Sequence, residues 1–65
     1  MSKRYEIPVY FNGGYYSSLV YTEPVYANVK TRLIEDARKM MEGINIVEIY
    51  VGSDEFQHLA VFVRE

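Results

Sequence analysis

The chain has 65 residues, a length that suits one domain spanning residues 1–65, and its 49% hydrophobic and 25% charged composition is that of a globular protein. It contains no cysteine and one histidine, which excludes disulfides, thiolate zinc sites and histidine metal clusters, so we expect no metal and no cofactor. The formal net charge of −2 excludes a general electrostatic attraction to nucleic acid or to anionic membranes.

The first two elements read as a β-hairpin. From Arg4 to Phe11 apolar residues alternate with polar ones, which predicts a strand with one face toward a core. Pro8 cannot donate a hydrogen bond to a neighbouring strand, so this strand is expected at a sheet edge or bulged there. Asn12-Gly13-Gly14 predicts the turn because these residues accept positive φ at low cost, and a second strand follows from about Tyr15 to Thr22.

Two registers of this hairpin are open. A three-residue loop, 12–14, pairs Phe11 with Tyr15 and Ile7 with Leu19, and we favour it because it pairs apolar residues with one another. A two-residue loop at Asn12-Gly13 pairs Ile7 with Ser18 instead. The favoured register gathers one core face: Tyr5, Ile7, Val9, Phe11, Leu19 and Tyr21.

The third element is a predicted helix from Pro24 to Glu42. Thr22 or Glu23 can cap it, Pro24 suits its first turn, and Gly43 suits the position after its end. Apolar residues recur at helical spacing on one stripe: Tyr26, Val29, Leu33, Ile34, Ala37, Met40 and Met41. Oppositely charged i,i+4 pairs, Arg32 with Asp36 and Glu35 with Lys39, mark the solvent side.

The last two elements are predicted strands at 44–51 and 56–63, joined by a turn at 52–55. Both are apolar on both faces, a pattern typical of strands that are covered on both sides. The order is therefore ββαββ, and the predicted fold class is α+β, a four-stranded, mainly antiparallel sheet with one helix packed on one face.

One helix covers one face of such a sheet, and the other face would carry an apolar patch. Seven tyrosines are more than so small a core can hide, and a tyrosine suits a surface that is wet when free and buried when bound. Other members of the patch come from Val20, Ile46 and the 56–62 segment. We predict a partner-binding site on it, made of Tyr10, Tyr16, Glu48, Tyr50 and Phe62.

Catalytic signatures are absent from the sequence, so an enzyme is not expected. His58 follows Asp54 and Glu55, which belong to a turn, and a structural histidine is the favoured interpretation. Single-stranded nucleic-acid binding by stacking bases on the tyrosines is the alternative function, disfavoured by the acidic balance. No apolar run is long enough to cross a membrane, and we expect a cytoplasmic protein.

In size, charge and ββαββ order the whole chain resembles the small inhibitor proteins that phages make against host machinery, of which anti-CRISPR proteins are the best known. The resemblance is one of shape, without a motif, so it transfers no site residues. It implies a protein partner, a homodimer and a non-enzymatic function, namely blocking a host defence or nucleic-acid-processing protein by steric occlusion.

Overall fold

The computed structural model describes residues 4–24 and 29–65. Its elements are strands β1 (Tyr5–Phe11) and β2 (Gly14–Tyr21), helix α1 (Lys30–Met40), and strands β3 (Glu48–Ser53) and β4 (Leu59–Arg64). The strands form one four-stranded sheet in the order β2-β1-β4-β3, in which only the central β1–β4 pair is parallel. The predicted α+β class and the β-β-α-β-β order are confirmed.

The hairpin between β1 and β2 combines the two registers that the sequence left open. Asn12 and Gly13 have φ values of 50° and 87°, the positive pair that a two-residue type I′ turn requires. The turn therefore pairs Phe11 with Gly14, so the favoured three-residue loop is wrong at this end. One extra residue, Tyr16, then forms a β-bulge, beyond which Ile7 pairs with Leu19 as predicted.

The core lies between the sheet and α1. Five of the six residues on the predicted core face of the hairpin belong to the core. Ile7, Val9 and Leu19 are buried, and Phe11 and Tyr21 pack against the buried cluster. From α1 and the segment after it, Leu33, Ala37 and Met41 contribute one helical stripe. The strands β3 and β4 complete this layer: Ile49, Val51, Leu59, Val61 and Val63.

The helix begins later than predicted. Pro24 is exposed and lies outside the helix, residues 25–28, which include the stripe residue Tyr26, lie outside the described residues, and α1 begins at Lys30. The N-cap position is Val29, which makes no side-chain capping hydrogen bond. The predicted caps, Thr22 and Glu23, lie well before this position and are therefore wrong. The helix also ends earlier than predicted, at Met40 instead of Glu42, with Met41 as its C-cap. Gly43 therefore lies one residue beyond the C′ position that it was predicted to occupy, although its φ of 92° is one that glycine adopts easily.

The strands β3 and β4 are displaced from their predicted bounds by a few residues. Ile44 and Ile46 lie in the loop before β3 and pack against the core from there, so Ile46 does not belong to the open face. Phe56 lies in the β3–β4 turn, where 69% of its surface is exposed. A periodic apolar pattern cannot separate a strand from a loop whose side chains reach the same core, which explains the shift of β3.

Pro8 lies in a central strand, although an edge position or a bulge at Pro8 was predicted. The β1–β4 ladder begins only at Val9, which pairs with Val61, so Pro8 precedes it. On the other side Pro8 pairs with Ser18 of β2. A residue without an N–H group is tolerated in a central strand where one of its two neighbouring ladders has not begun. Among the described residues no helix is long and apolar enough to cross a membrane.

Candidate protein-binding surface

The face of the sheet opposite α1 carries one aromatic ring from each of the four strands. Tyr15 of β2 opposes Tyr10 of β1, Tyr10 opposes Phe62 of β4, and Phe62 opposes Tyr50 of β3. We call this set, Tyr15, Tyr10, Phe62 and Tyr50, the aromatic row. Because its members are direct cross-strand partners, the row runs across the whole width of the sheet.

The rings of the row stack on one another. The centroid of the Phe62 ring lies 5.3 Å from that of Tyr10 and 5.2 Å from that of Tyr50, with interplanar angles of 14° and 19°. These spacings follow the strand separation of about 4.8 Å. Rings lying side by side in one plane would collide at such distances, so the faces of neighbouring rings partly overlap. Tyr15 closes the row with its ring edge-on to Tyr10, at 6.2 Å and 78°.

Gly52 of β3 lies against two of these rings. A Cβ atom at this position would lie 3.5 Å from ring carbons of both Tyr50 and Phe62. The opposite residue on β4, Ala60, is also small and fully buried. The Tyr50 and Phe62 rings therefore lie beside Gly52, at distances where an added Cβ atom would make ordinary van der Waals contact with both.

A cleft of about 300 Å³ lies beside the row at one end of the sheet. Its charged members are Glu48 and Arg64, which are cross-strand partners with 4.0 Å between Oε2 and the guanidinium nitrogen Nη2. Both side chains are more than half exposed, so their attraction is strongly screened and the pair opens at little cost. The whole lining is Tyr10, Asn12, Gly13, Glu48, Tyr50, Phe62, Val63 and Arg64.

Four of the five predicted site residues line this single cleft: Tyr10, Glu48, Tyr50 and Phe62. The fifth, Tyr16, lies elsewhere, since its ring centroid is 6.1 Å from that of Phe11, a residue packed against the core. As the bulged residue of β2, Tyr16 leaves the alternation on which its predicted place depended.

Tyr15 is the member of the row that sequence reasoning missed. The favoured register placed it opposite Phe11, on the core face. Asn12-Gly13 carried the signal that could have found it, because the two-residue turn that this dipeptide prefers puts Tyr15 opposite Tyr10. Tyr15 exposes 66% of its surface, and its hydroxyl lies 2.7 Å from the hydroxyl of Ser18 on the same face.

A second polar cluster ties β2 to the helix. The Tyr21 hydroxyl donates a 2.7 Å hydrogen bond to Oδ2 of Asp36, and the Arg32 guanidinium lies 5.1 Å above the Tyr21 ring. Arg32 Nε also lies 3.9 Å from Asp36 Oδ2, which confirms the predicted i,i+4 pair. Partial burial, the hydrogen bond and the charge of Asp36 together raise the pKa of Tyr21 well above the usual range, against a smaller opposing effect of Arg32. The cluster stabilises the fold by joining strand to helix.

His58 sits in the turn between β3 and β4. The Asp54 carboxylate oxygen Oδ1 accepts 2.9 Å hydrogen bonds from the backbone N–H groups of Phe56 and His58, and it thereby shapes the turn. The imidazole Nδ1 lies 4.0 Å from the other carboxylate oxygen, and the His58 side chain is largely exposed. These contacts give Asp54 and His58 a structural role.

Within residues 4–24 and 29–65, no group of three or more histidine, aspartate or glutamate side chains is arranged to hold a metal ion. Comparison of the chain with protein-family models, with curated proteins and with solved structures finds no match.

Proposed function

We propose that this chain is a non-enzymatic protein-interaction module that binds its partner through the aromatic row, with Glu48 and Arg64 at its rim. The observation that carries the proposal is a continuous row of four rings, with Tyr15 and Tyr50 exposing 66% and 50% of their surface. Tyrosine and phenylalanine are enriched at the centres of protein interfaces, where a large rigid ring gains contact area at low entropic cost.

The overlap of the rings supports a protein partner over a nucleic acid. A base stacks on the flat face of an aromatic ring, and Phe62 has both faces partly covered by Tyr10 and Tyr50. The strands of this face contribute the charged side chains of Arg4, Glu6, Glu48 and Arg64, which sum to zero. Asp54 and Glu55 of the β3–β4 turn line a cleft with Tyr10 and Phe62. The face therefore has no excess of positive charge to drive nucleic-acid binding.

The biological role that fits such a module is that of a small phage-type inhibitor. It would bind a functional surface of a host defence or nucleic-acid-processing protein and block access of that protein's substrate by steric occlusion. A preformed aromatic surface on a small rigid sheet suits this mechanism, since little conformational freedom is lost when it binds.

The test is site-resolved photocross-linking in a host-cell extract. A benzophenone amino acid placed at Tyr15 should cross-link one dominant protein, and Tyr50→Ala should reduce the cross-linking yield at least about tenfold, as loss of an interface hot-spot ring does. Tyr16→Ala is the matched control, because it removes the same side chain, 43% exposed, from outside the row. Equal losses from the two alanine variants would reject the site.

The alternative is tested on the same material. An oligothymidine labelled for fluorescence anisotropy is titrated at low salt, where electrostatic binding is strongest. A flat titration agrees with the proposal. Binding that weakens with added salt and with Tyr50→Ala would replace it by single-stranded nucleic-acid binding.

A further inference from the structure

We infer that the first partner of the aromatic row is a second copy of this chain, packed sheet face to sheet face about a two-fold axis. The inference rests on the proposed function, since it assigns an occupant to the same surface. A two-fold interface requires a patch that is complementary to itself, and the charges and the area of this face meet that requirement.

The charges are self-complementary. Arg4 and Glu6 form an ion pair of 3.8 Å at one end of the face, and Arg64 and Glu48 form one of 4.0 Å at the other. The charged side chains that the strands place on this face, two carboxylates and two guanidinium groups, sum to zero, and Asp54 and Glu55 of the β3–β4 turn lie beside Tyr10 and Phe62. Because each of the two ion pairs contains both signs, each copy can offer an opposite charge to the other.

The exposed area of the face is sufficient for a dimer interface. The exposed fractions of Tyr15 and Tyr50, 66% and 50%, amount to about 230 Å² at about 200 Å² for a whole tyrosine side chain. Val20 exposes another 47% of its surface on the same face. With the four charged side chains the face offers on the order of 800 Å², one partner's share of an interface of standard size.

A second copy would also stabilise a chain as short as this one. A domain of this length buries a smaller fraction of its surface than a larger domain does, and cysteine is absent from the sequence, so oligomerisation is among the remaining means of stabilisation. Two sheets packed face to face lie about 10 Å apart, a distance that rings from both sides fill.

The experiment is sedimentation velocity of the full chain from about 1 µM to about 1 mM. This concentration range covers the dissociation constants expected for an interface of this kind. Wild type should pass from monomer to dimer in the micromolar range. Tyr50→Glu should weaken the dimer at least about tenfold by burying a charge among rings, and Phe56→Glu, which changes an exposed ring in the β3–β4 turn, should not.

Charge exchange tests the orientation of the two copies. Glu48→Arg and Arg64→Glu should each weaken self-association, because each leaves the face with a charge of one sign in excess. Mixing the two variants should restore a dimer that contains one copy of each.

The outcomes separate this inference from the proposed function. A wild type that stays monomeric throughout, or a dimer as insensitive to Tyr50→Glu as to Phe56→Glu, overturns the second copy as occupant. Cross-linking at Tyr15 to a different protein would then still uphold the aromatic row as a binding surface. Row variants that alter neither self-association nor cross-linking would overturn both.

Discussion

The central ring of the aromatic row offers the sharpest test of whether the row behaves as one preformed unit. Phe62→Leu keeps an apolar side chain of similar volume but removes the stacking on Tyr10 and on Tyr50, at 5.3 and 5.2 Å. An aromatic pair contributes about 0.5–1.5 kcal/mol beyond its buried area, so the loss of two pairs should lower the free energy of unfolding by about 1–3 kcal/mol. For a domain of this size the melting temperature should fall by at least about 4 °C.

A double-mutant cycle isolates the stacking from other effects of the substitution. Urea unfolding is followed by circular dichroism for Tyr10→Leu, Phe62→Leu and the double variant, and the coupling energy should be about 0.5–1.5 kcal/mol. The control cycle pairs Phe62→Leu with Tyr16→Leu, whose ring lies beside Phe11. Those two changes should add within about 0.5 kcal/mol. A Tyr10–Phe62 coupling no larger than that of the control cycle would refute the row as a cooperative unit.

Two further predictions concern the fold around the row. Tyr21→Phe should cost about 1 kcal/mol at neutral pH, the value of a typical hydrogen bond. Because the pKa of Tyr21 is raised by folding, its contribution is complete below the unfolded pKa of about 10 and is lost as the pH rises above it. Wild type should therefore lose more stability than Tyr21→Phe between about pH 8 and pH 11 in thermal unfolding, and parallel losses would contradict the assignment. Deletion of Tyr16 should keep the fold, since it removes the bulge while preserving the type I′ turn and the Ile7–Leu19 pair. Deletion of Val20, the control, should destabilise the protein more, because it turns Tyr21 away from both the core and Asp36. Equal disorder of both deletion variants in amide NMR spectra would show that the bulge does more than restore register.

The bulge at Tyr16 shows how local and tertiary demands are reconciled in this chain. The Asn12-Gly13 turn imposes one register through its positive φ values, and the core imposes another through the Ile7–Leu19 pair. A one-residue shift of β2 along β1 would expose a whole apolar face, so the turn register cannot simply continue along the strand. One inserted residue satisfies both, and the consequence for the site is that Tyr15, and not Tyr16, joins the row.

The alternation of apolar and polar residues determined most of what this chain folds into. It assigned the core face of the hairpin, the helical stripe and the ββαββ order, and it placed Tyr10, Glu48, Tyr50 and Phe62 on the face away from the helix. Such a pattern is local, because the side-chain period of a strand depends only on its own backbone.

Tertiary structure alone decided which strands are neighbours and therefore which rings touch. Tyr10 and Phe62 come from opposite ends of the chain and meet because β1 and β4 pair in parallel at the centre of the sheet. The sequence pattern of each strand is equally compatible with other strand orders. This order brings Val9 and Val61 of the two central strands into one core with Leu33 of the helix, and the aromatic row on the opposite face is its consequence.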